Sequence, residues 1–265
     1  MSGTRVSARL PEAHGIRGLL IDIDGVLTIR GEPIDGAAQA LDELRRRGIP
    51  FRLLTNTTMR SRAELAGRLQ KVGISAQGSE IYTASFLAAT YLRRRGVRRA
   101  WVLLYGSAYD DFADLELTEE NPQYVVLGDL GDDFNARTMN RIYRALLGGA
   151  RLVAVQHNAA WMAPDGPRLD VGAWVAALEF ASGEPALVMG KPSLVAYEFP
   201  TADMGLRPEQ VAMVSDDPDV DLAGARAARL KTVFVRTSAA PQRRRVRRGE
   251  FDCALNSIAD LPSAL

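Results

Sequence analysis

The sequence predicts a doubly wound α/β protein, and three observations carry the prediction. Short, near-continuous apolar runs of strand character recur along the chain, amphipathic helical patterns lie between most of them, and those patterns close on glycine, the first of them after a run of arginines. A strand that is apolar along its whole length is one covered on both faces, as parallel strands flanked by helices are. Arginines in a last turn suit the negative end of the helix dipole, and glycine beyond them supplies a left-handed cap.

In chain order, GLLI (18–21) is the first strand and AAQALDELRRRG (37–48) the helix after it, with apolar residues three and four apart. FRLL (51–54) is the next strand and RAELAGRLQKVG (62–73) its helix. AWVLLY (100–105) and QYVVLG (123–128) read as strands, RTMNRIYRALLGG (137–149) as a helix, RLVAVQ (151–156) as a strand and VGAWVAALEFASG (171–183) as a helix. ALVM (186–189), VAMVS (211–215) and KTVFVR (231–236) complete the strands. No fixed-period repeat or low-complexity linker interrupts this order.

Composition sets outer limits. The 265 residues are 47% hydrophobic and 25% charged, ordinary for a globular protein. With 33 basic and 32 acidic residues, the net charge of +1 gives no global field for nucleic acid or an anionic membrane. The one cysteine, Cys253, cannot form an intrachain disulfide and suits a reducing compartment. The opening MSGTRVSARLPEAHG lacks a signal peptide's apolar segment, and no later run is long enough to span a bilayer. The expectation is a cytoplasmic protein without a nucleic-acid or membrane partner.

Polar residues gather at one kind of place. Asp22 follows LLI, Thr55 and Asn56 follow FRLL, Gly190 and Lys191 follow ALVM, and Asp216 and Asp217 follow VAMVS. In an open parallel sheet the carboxyl ends of the strands converge on the ligand crevice, so these four pieces meet if their strands share one sheet. A cluster of Asp22, Asp24, Asp216 and Asp221 would repel itself and needs a cation. Few, hard oxygen ligands favour Mg2+, which keeps waters and shares positions with a phosphate. Lys191, Thr55 and the backbone amide after it suit the other phosphate oxygens. One carboxylate can then attack phosphorus while its neighbour works as acid and base: Asp22 at the strand end, Asp24 on the turn, with Gly25 giving the turn its freedom.

DIDGVLT (22–28), TNTT (55–58), GKP (190–192) and SDDPDVD (215–221) stand in the order and spacing of the four motifs of the haloacid dehalogenase-like hydrolases. The chain resembles that superfamily from about residue 18 to 238. Within it, the chain resembles the class whose α/β cap lies between the second and third motifs. LDVGAWVAALEFASG (169–183) leading into VMGKPS (188–193) is most similar to the phospholysine phosphohistidine inorganic pyrophosphate phosphatases and their relatives, beside the 4-nitrophenyl phosphatases. The resemblance implies a Rossmann-like core of residues 1–81 and 187–265 and a smaller cap of 82–186, hinged by two linkers. It implies Asp22 as nucleophile and Asp24 as general acid and base. It places Mg2+ on Asp22, the Asp24 carbonyl and Asp216, and the phosphate on Thr55, Asn56 and Lys191. Dehalogenases lack the second acid and transport ATPases carry threonine there, so Asp24 favours a phosphatase. A homodimer through the cap is a further implication.

In the family the fourth motif usually has glycine before its acidic pair, where this chain has Ser215, which would either crowd the metal loop or add a hydrogen bond. Asp217 and Asp221 either orient Lys191 or a water on the metal, or cap the following helix. His157, Asn158, Trp161 and Asp165 either cover the substrate or, with Trp161 and Met162 in a cap core, do not touch it. The arginine run at 243–248 is either a solvated face or a site for an acidic or nucleic-acid partner. Three activities follow. The leading one is a Mg2+-dependent phosphatase for a small phosphorylated metabolite, working through an aspartyl phosphate. The others are a catalytically silent phosphate-binding or regulatory protein, and a phosphotransferase to an acceptor other than water. Which phosphorylated compound is the substrate is left open by the motifs.

Overall fold

The computed structural model describes residues 15–163, 165–236 and 250–265, so the 243–248 arginine run lies outside the described residues. The chain divides into two compact units. The first takes in Met1–Thr55, Leu65–Tyr82 and Lys191–Leu265, and the second Asn56–Glu64 and Thr83–Gly190.

The first unit is built on a six-stranded sheet in the order Cys253–Leu255, Lys231–Val235, Val211–Ser215, Gly18–Asp22, Phe51–Thr55, Ile81–Thr83. Gly18–Asp22 pairs in parallel with Val211–Ser215 on one side and Phe51–Thr55 on the other. Every residue of that central strand is buried. Leu19 and Ile21 join one core cluster with Leu41, Leu44 and Val214, while Leu20 is equally buried and points to the opposite face. Strand side chains alternate, so an all-apolar strand is what a sheet covered on both sides demands. The helix Ala37–Arg46 covers the first face through Ala37, Ala40, Leu41 and Leu44, the three-and-four spacing read from the sequence. The helices Leu194–Asp203 and Asp221–Ala227 pack on strands of the same sheet.

The second unit carries a five-stranded parallel sheet in the order Leu187–Val188, Arg151–Ala154, Tyr124–Leu127, Arg99–Leu103, Glu116–Leu117. Ala136–Leu147 and Val171–Ser182 lie against each other over it, sharing a core of Trp101, Val125, Leu127, Ile142, Leu152 and Val175. Ala160–Ala163 and Gly166–Leu169 form a separate antiparallel hairpin.

One expectation needs correction. The strand within ALVM, Leu187–Val188, belongs to this second sheet and not to the sheet of Gly18–Asp22. Lys191 thus follows a strand of the other unit, and three strand ends rather than four come from one sheet. Among the described residues, no helix is long and apolar enough to cross a membrane.

Candidate active site

The site begins where the buried central strand runs out. Asp22 closes it at 7% exposure. The chain then wraps around the carbonyl of Ile23, which accepts the N–H groups of Leu27 at 2.9 Å and Thr28 at 3.0 Å, while the Gly25 N–H donates to the Thr28 carbonyl at 2.7 Å. That wrap turns Asp24 out to solvent, so two acids one residue apart stand in opposite environments. Gly25 sits at φ +91°, and a Cβ there would fall 2.6 Å from Cγ and 2.7 Å from Oδ1 of Asp216. The absent side chain is therefore the seat of the Asp216 carboxyl.

Asp216 arrives there because its strand runs parallel to the central one in register, Ile21 beside Val214. On the other flank Asp22 is paired with Leu54, which brings buried Thr55 to the same edge. Lys191 is buried among acids: its Nζ donates to Asp22 Oδ1 at 2.7 Å and to Asp221 Oδ2 at 2.7 Å. Asp221 opens the helix Asp221–Ala227, and its main-chain carbonyl accepts the buried Tyr197 hydroxyl at 2.9 Å. Ser215 resolves toward a hydrogen bond, its Oγ donating to Asp221 Oδ2 at 2.7 Å.

The remaining candidates divide. Asp217 takes the capping geometry, Oδ1 accepting the N–H groups of Asp219 and Val220 at 2.9 Å each, whereas Asp221 takes the Lys191-orienting one. Asn56 belongs to the second unit, where Gly190 leaves room for its amide: a Cβ on Gly190 would lie 2.6 Å from Asn56 Oδ1. His157 is exposed with Nε2 3.5 Å from the Glu179 carboxylate, and Trp161, on the hairpin, is 45% exposed and so does not fill a core. Asp165 pairs with Arg168 at 2.6 Å. Tyr197 escaped the sequence reading because a buried aromatic at helical spacing carries no mark that separates it from core.

Electrostatics reveal what the cluster lacks. Burial pushes the Asp22 carboxyl up, with Lys191 pulling it down and Asp221 adding repulsion. Asp216 is pushed up to about 6, by burial first and then by Asp221 and Asp217. Burial works against the Lys191 ammonium, yet the Asp22 and Asp221 carboxylates outweigh it and raise its value. The two partners pull in opposite senses, and the two 2.7 Å contacts at Nζ favour the charged pair. One ammonium shared between two of these acids leaves Asp216 short of positive charge, which is the condition of a cation site.

The donor set fits magnesium. Among the described residues no three His, Cys, Asp or Glu side chains stand together as a metal cage. Mg2+ does not need one, since it binds through one or two carboxylates and keeps water and phosphate for its other positions. The Asp216 carboxyl held in the cradle of Gly25, one turn from Asp22, supplies that pair. A buried carboxylate beside a lysine, with a second acid exposed next to it, can do nucleophilic and acid–base chemistry on a phosphoryl group.

Comparison with known proteins points the same way. The profile of the haloacid dehalogenase-like hydrolases matches residues 19–118, and a second, HAD-hydrolase-like profile matches residues 188–261. Over 232 residues the chain is 32% identical to the phospholysine phosphohistidine inorganic pyrophosphate phosphatase of Xenopus laevis, covering 85% of each. Its structure is similar to the p-nitrophenyl phosphatase from Archaeoglobus fulgidus, with TM-score 0.83 and 28% identity over 94% of this chain and 99% of that one. It is also similar to NagD from E. coli K-12, with TM-score 0.79 and 26% identity over 92% and 97% of the two chains.

Proposed function

We propose, since the chain belongs to the haloacid dehalogenase-like hydrolases and to their class with the cap between the second and third motifs, that it is a magnesium-dependent phosphatase acting on a small phosphorylated metabolite in the cytoplasm. The observation that carries this reading is the buried lysine bridging Asp22 and Asp221, with Asp216 seated against the turn at Gly25, directly after Asp24. A homodimer through the cap belongs to the same reading and rests on the resemblance.

The carboxylates of Asp22 and Asp216 and the Asp24 carbonyl would hold the metal, whose charge offsets that of the phosphoryl group and lets an anionic nucleophile approach. Asp22 then attacks phosphorus: a bond forms from its carboxylate oxygen as the ester oxygen departs, and exposed Asp24 gives that oxygen its proton. In the second half Asp24 takes a proton from water, the water oxygen bonds to phosphorus, and the Asp22 carboxylate leaves. Lys191 keeps Asp22 oriented and meets the phosphate oxygens together with Thr55. Asp22 is buried and Asp24 exposed, which supports the division between nucleophile and proton carrier.

Phosphate release is the test, measured with and without magnesium on pyrophosphate, phospholysine, phosphohistidine, sugar phosphates, nucleotides and p-nitrophenyl phosphate. We expect magnesium-dependent release from at least one, and its loss in Asp22→Asn with the fold intact by circular dichroism. Full turnover in the folded variant would refute the role given to Asp22. Phosphate passed to an alcohol acceptor in place of water would make the enzyme a phosphotransferase.

A further inference from the structure

The hydroxyl of Ser215 is engaged on both sides. The residue is completely buried at the end of the strand Val211–Ser215. Its Oγ accepts the Asp217 N–H at 3.1 Å and stands 2.7 Å from Asp221 Oδ2. A carboxylate oxygen only accepts, so the single hydroxyl proton goes to Asp221. The same oxygen receives Lys191 Nζ at 2.7 Å, and Nζ reaches Asp22 Oδ1 at 2.7 Å. A chain of hydrogen bonds therefore runs from the Asp217 amide through Ser215 to Asp221, whose carboxylate also accepts the lysine beside the nucleophile.

Glycine at this position would break that chain in two places. The Asp217 N–H would lose its acceptor, and Asp221 Oδ2 would keep the lysine alone. An aspartate held only through a long, flexible lysine is free to rotate about its own side-chain bonds. With the hydroxyl attached it has a fixed partner on its own loop, and it stays committed to Lys191. Charge-assisted bonds of this kind are roughly twice as strong as neutral ones, so the commitment is not trivial.

We propose that Ser215 is a positioning residue for phosphate binding: its hydroxyl locks Asp221 as the anchor that holds Lys191 at the phosphate site. The proposal rests on the phosphatase reading, in which Lys191 meets the phosphate. Of the two outcomes open at this position, crowding of the metal loop and an added hydrogen bond, the geometry takes the second.

The test is equilibrium binding of inorganic phosphate by calorimetry in magnesium, with kcat and KM for p-nitrophenyl phosphate alongside. The proteins are wild type, S215A, S215G, D221N and the double variant S215A/D221N. Loss of the hydroxyl should weaken phosphate binding by roughly tenfold in both S215A and S215G, the scale of one hydrogen bond to a charged group. In the D221N background S215A should add no more than about twofold, because the hydroxyl acts through the Asp221 carboxylate. A hydroxyl that served only packing would lower the melting temperature and leave phosphate affinity alone, so unchanged affinity in folded S215A or S215G overturns the proposal. Tighter binding or faster turnover in S215G, or fully additive losses in the double variant, overturn it as well. The S215A and S215G pair decides by itself if D221N does not fold. A wild-type protein that binds no phosphate and cleaves no ester in magnesium would bring down the phosphatase reading, and this inference with it. One that does both while the serine variants match it would overturn the inference alone.

Discussion

Gly25 answers two demands at one position, a left-handed backbone at φ +91° and a vacant Cβ where the Asp216 carboxyl sits. Gly25→Ala should therefore cost about 1–2 kcal/mol for the backbone alone. It should also push Asp216 off the turn, lowering phosphatase activity by more than the loss of stability explains. Urea unfolding and phosphate release, measured on the same preparation, check both halves; a variant with wild-type stability and rate would show that the cradle is not needed. The freedom of the turn at Gly25 was legible in the sequence, because a glycine directly after two acids at a strand end suits a tight turn, whereas the room it leaves for Asp216 was not. The partition between Asp217 and Asp221 was not legible. Both are acids of one loop, and only the distances separate the one that caps Asp219 and Val220 from the one that holds Lys191. Ser215 was visible as a departure from the motif, but its sign was not, since crowding and hydrogen bonding begin from the same side chain.

Among the elements, the helix Ala84–Arg94 shows where periodicity stops informing. Ala84, Ser85, Leu87, Ala88, Ala89, Tyr91 and Leu92 are all buried, so no polar face is left to mark it as amphipathic, and the sequence betrays it only through its terminal arginines. Its start is fixed by Thr83, whose Oγ1 accepts the Phe86 N–H at 3.1 Å and stands 2.9 Å from Ser85 Oγ and 3.3 Å from Asp111 Oδ2. Thr83→Ala should cost about 1–2 kcal/mol, the cap being buried and shared with Asp111. A denaturation midpoint unchanged from wild type would show that Ser85 and Asp111 suffice without it. The strands read best where they are longest, as at Gly18–Asp22, Phe51–Thr55 and Val211–Ser215. Leu187–Val188 was found as a strand and assigned to the wrong sheet, because two apolar residues carry no information about their neighbours.

For the molecule as a whole, the buried acids set the direction of pH dependence. A carboxyl whose value in the fold lies above its unfolded value binds protons more tightly when folded, so it favours the folded state at low pH and burdens it once ionised. Asp216, raised from 3.8 to about 6, makes stability fall as pH rises between those two values. Glu43 acts in the opposite sense, since Arg46 and Arg47 hold it at about 2, but its influence is confined below its ordinary 4.5. Without divalent metal, calorimetric unfolding should therefore move to lower temperature between pH 4.5 and pH 7. On the proposed reading magnesium would bind the ionised carboxylates, and only in the folded arrangement, so its stabilisation should grow across the same interval and flatten or reverse the decline. Melting temperatures in EDTA that are level or rising over this interval would mean that the Asp216 carboxylate is already compensated by the protein. Magnesium that stabilises equally at both ends would place its binding on groups ionised throughout, away from Asp216.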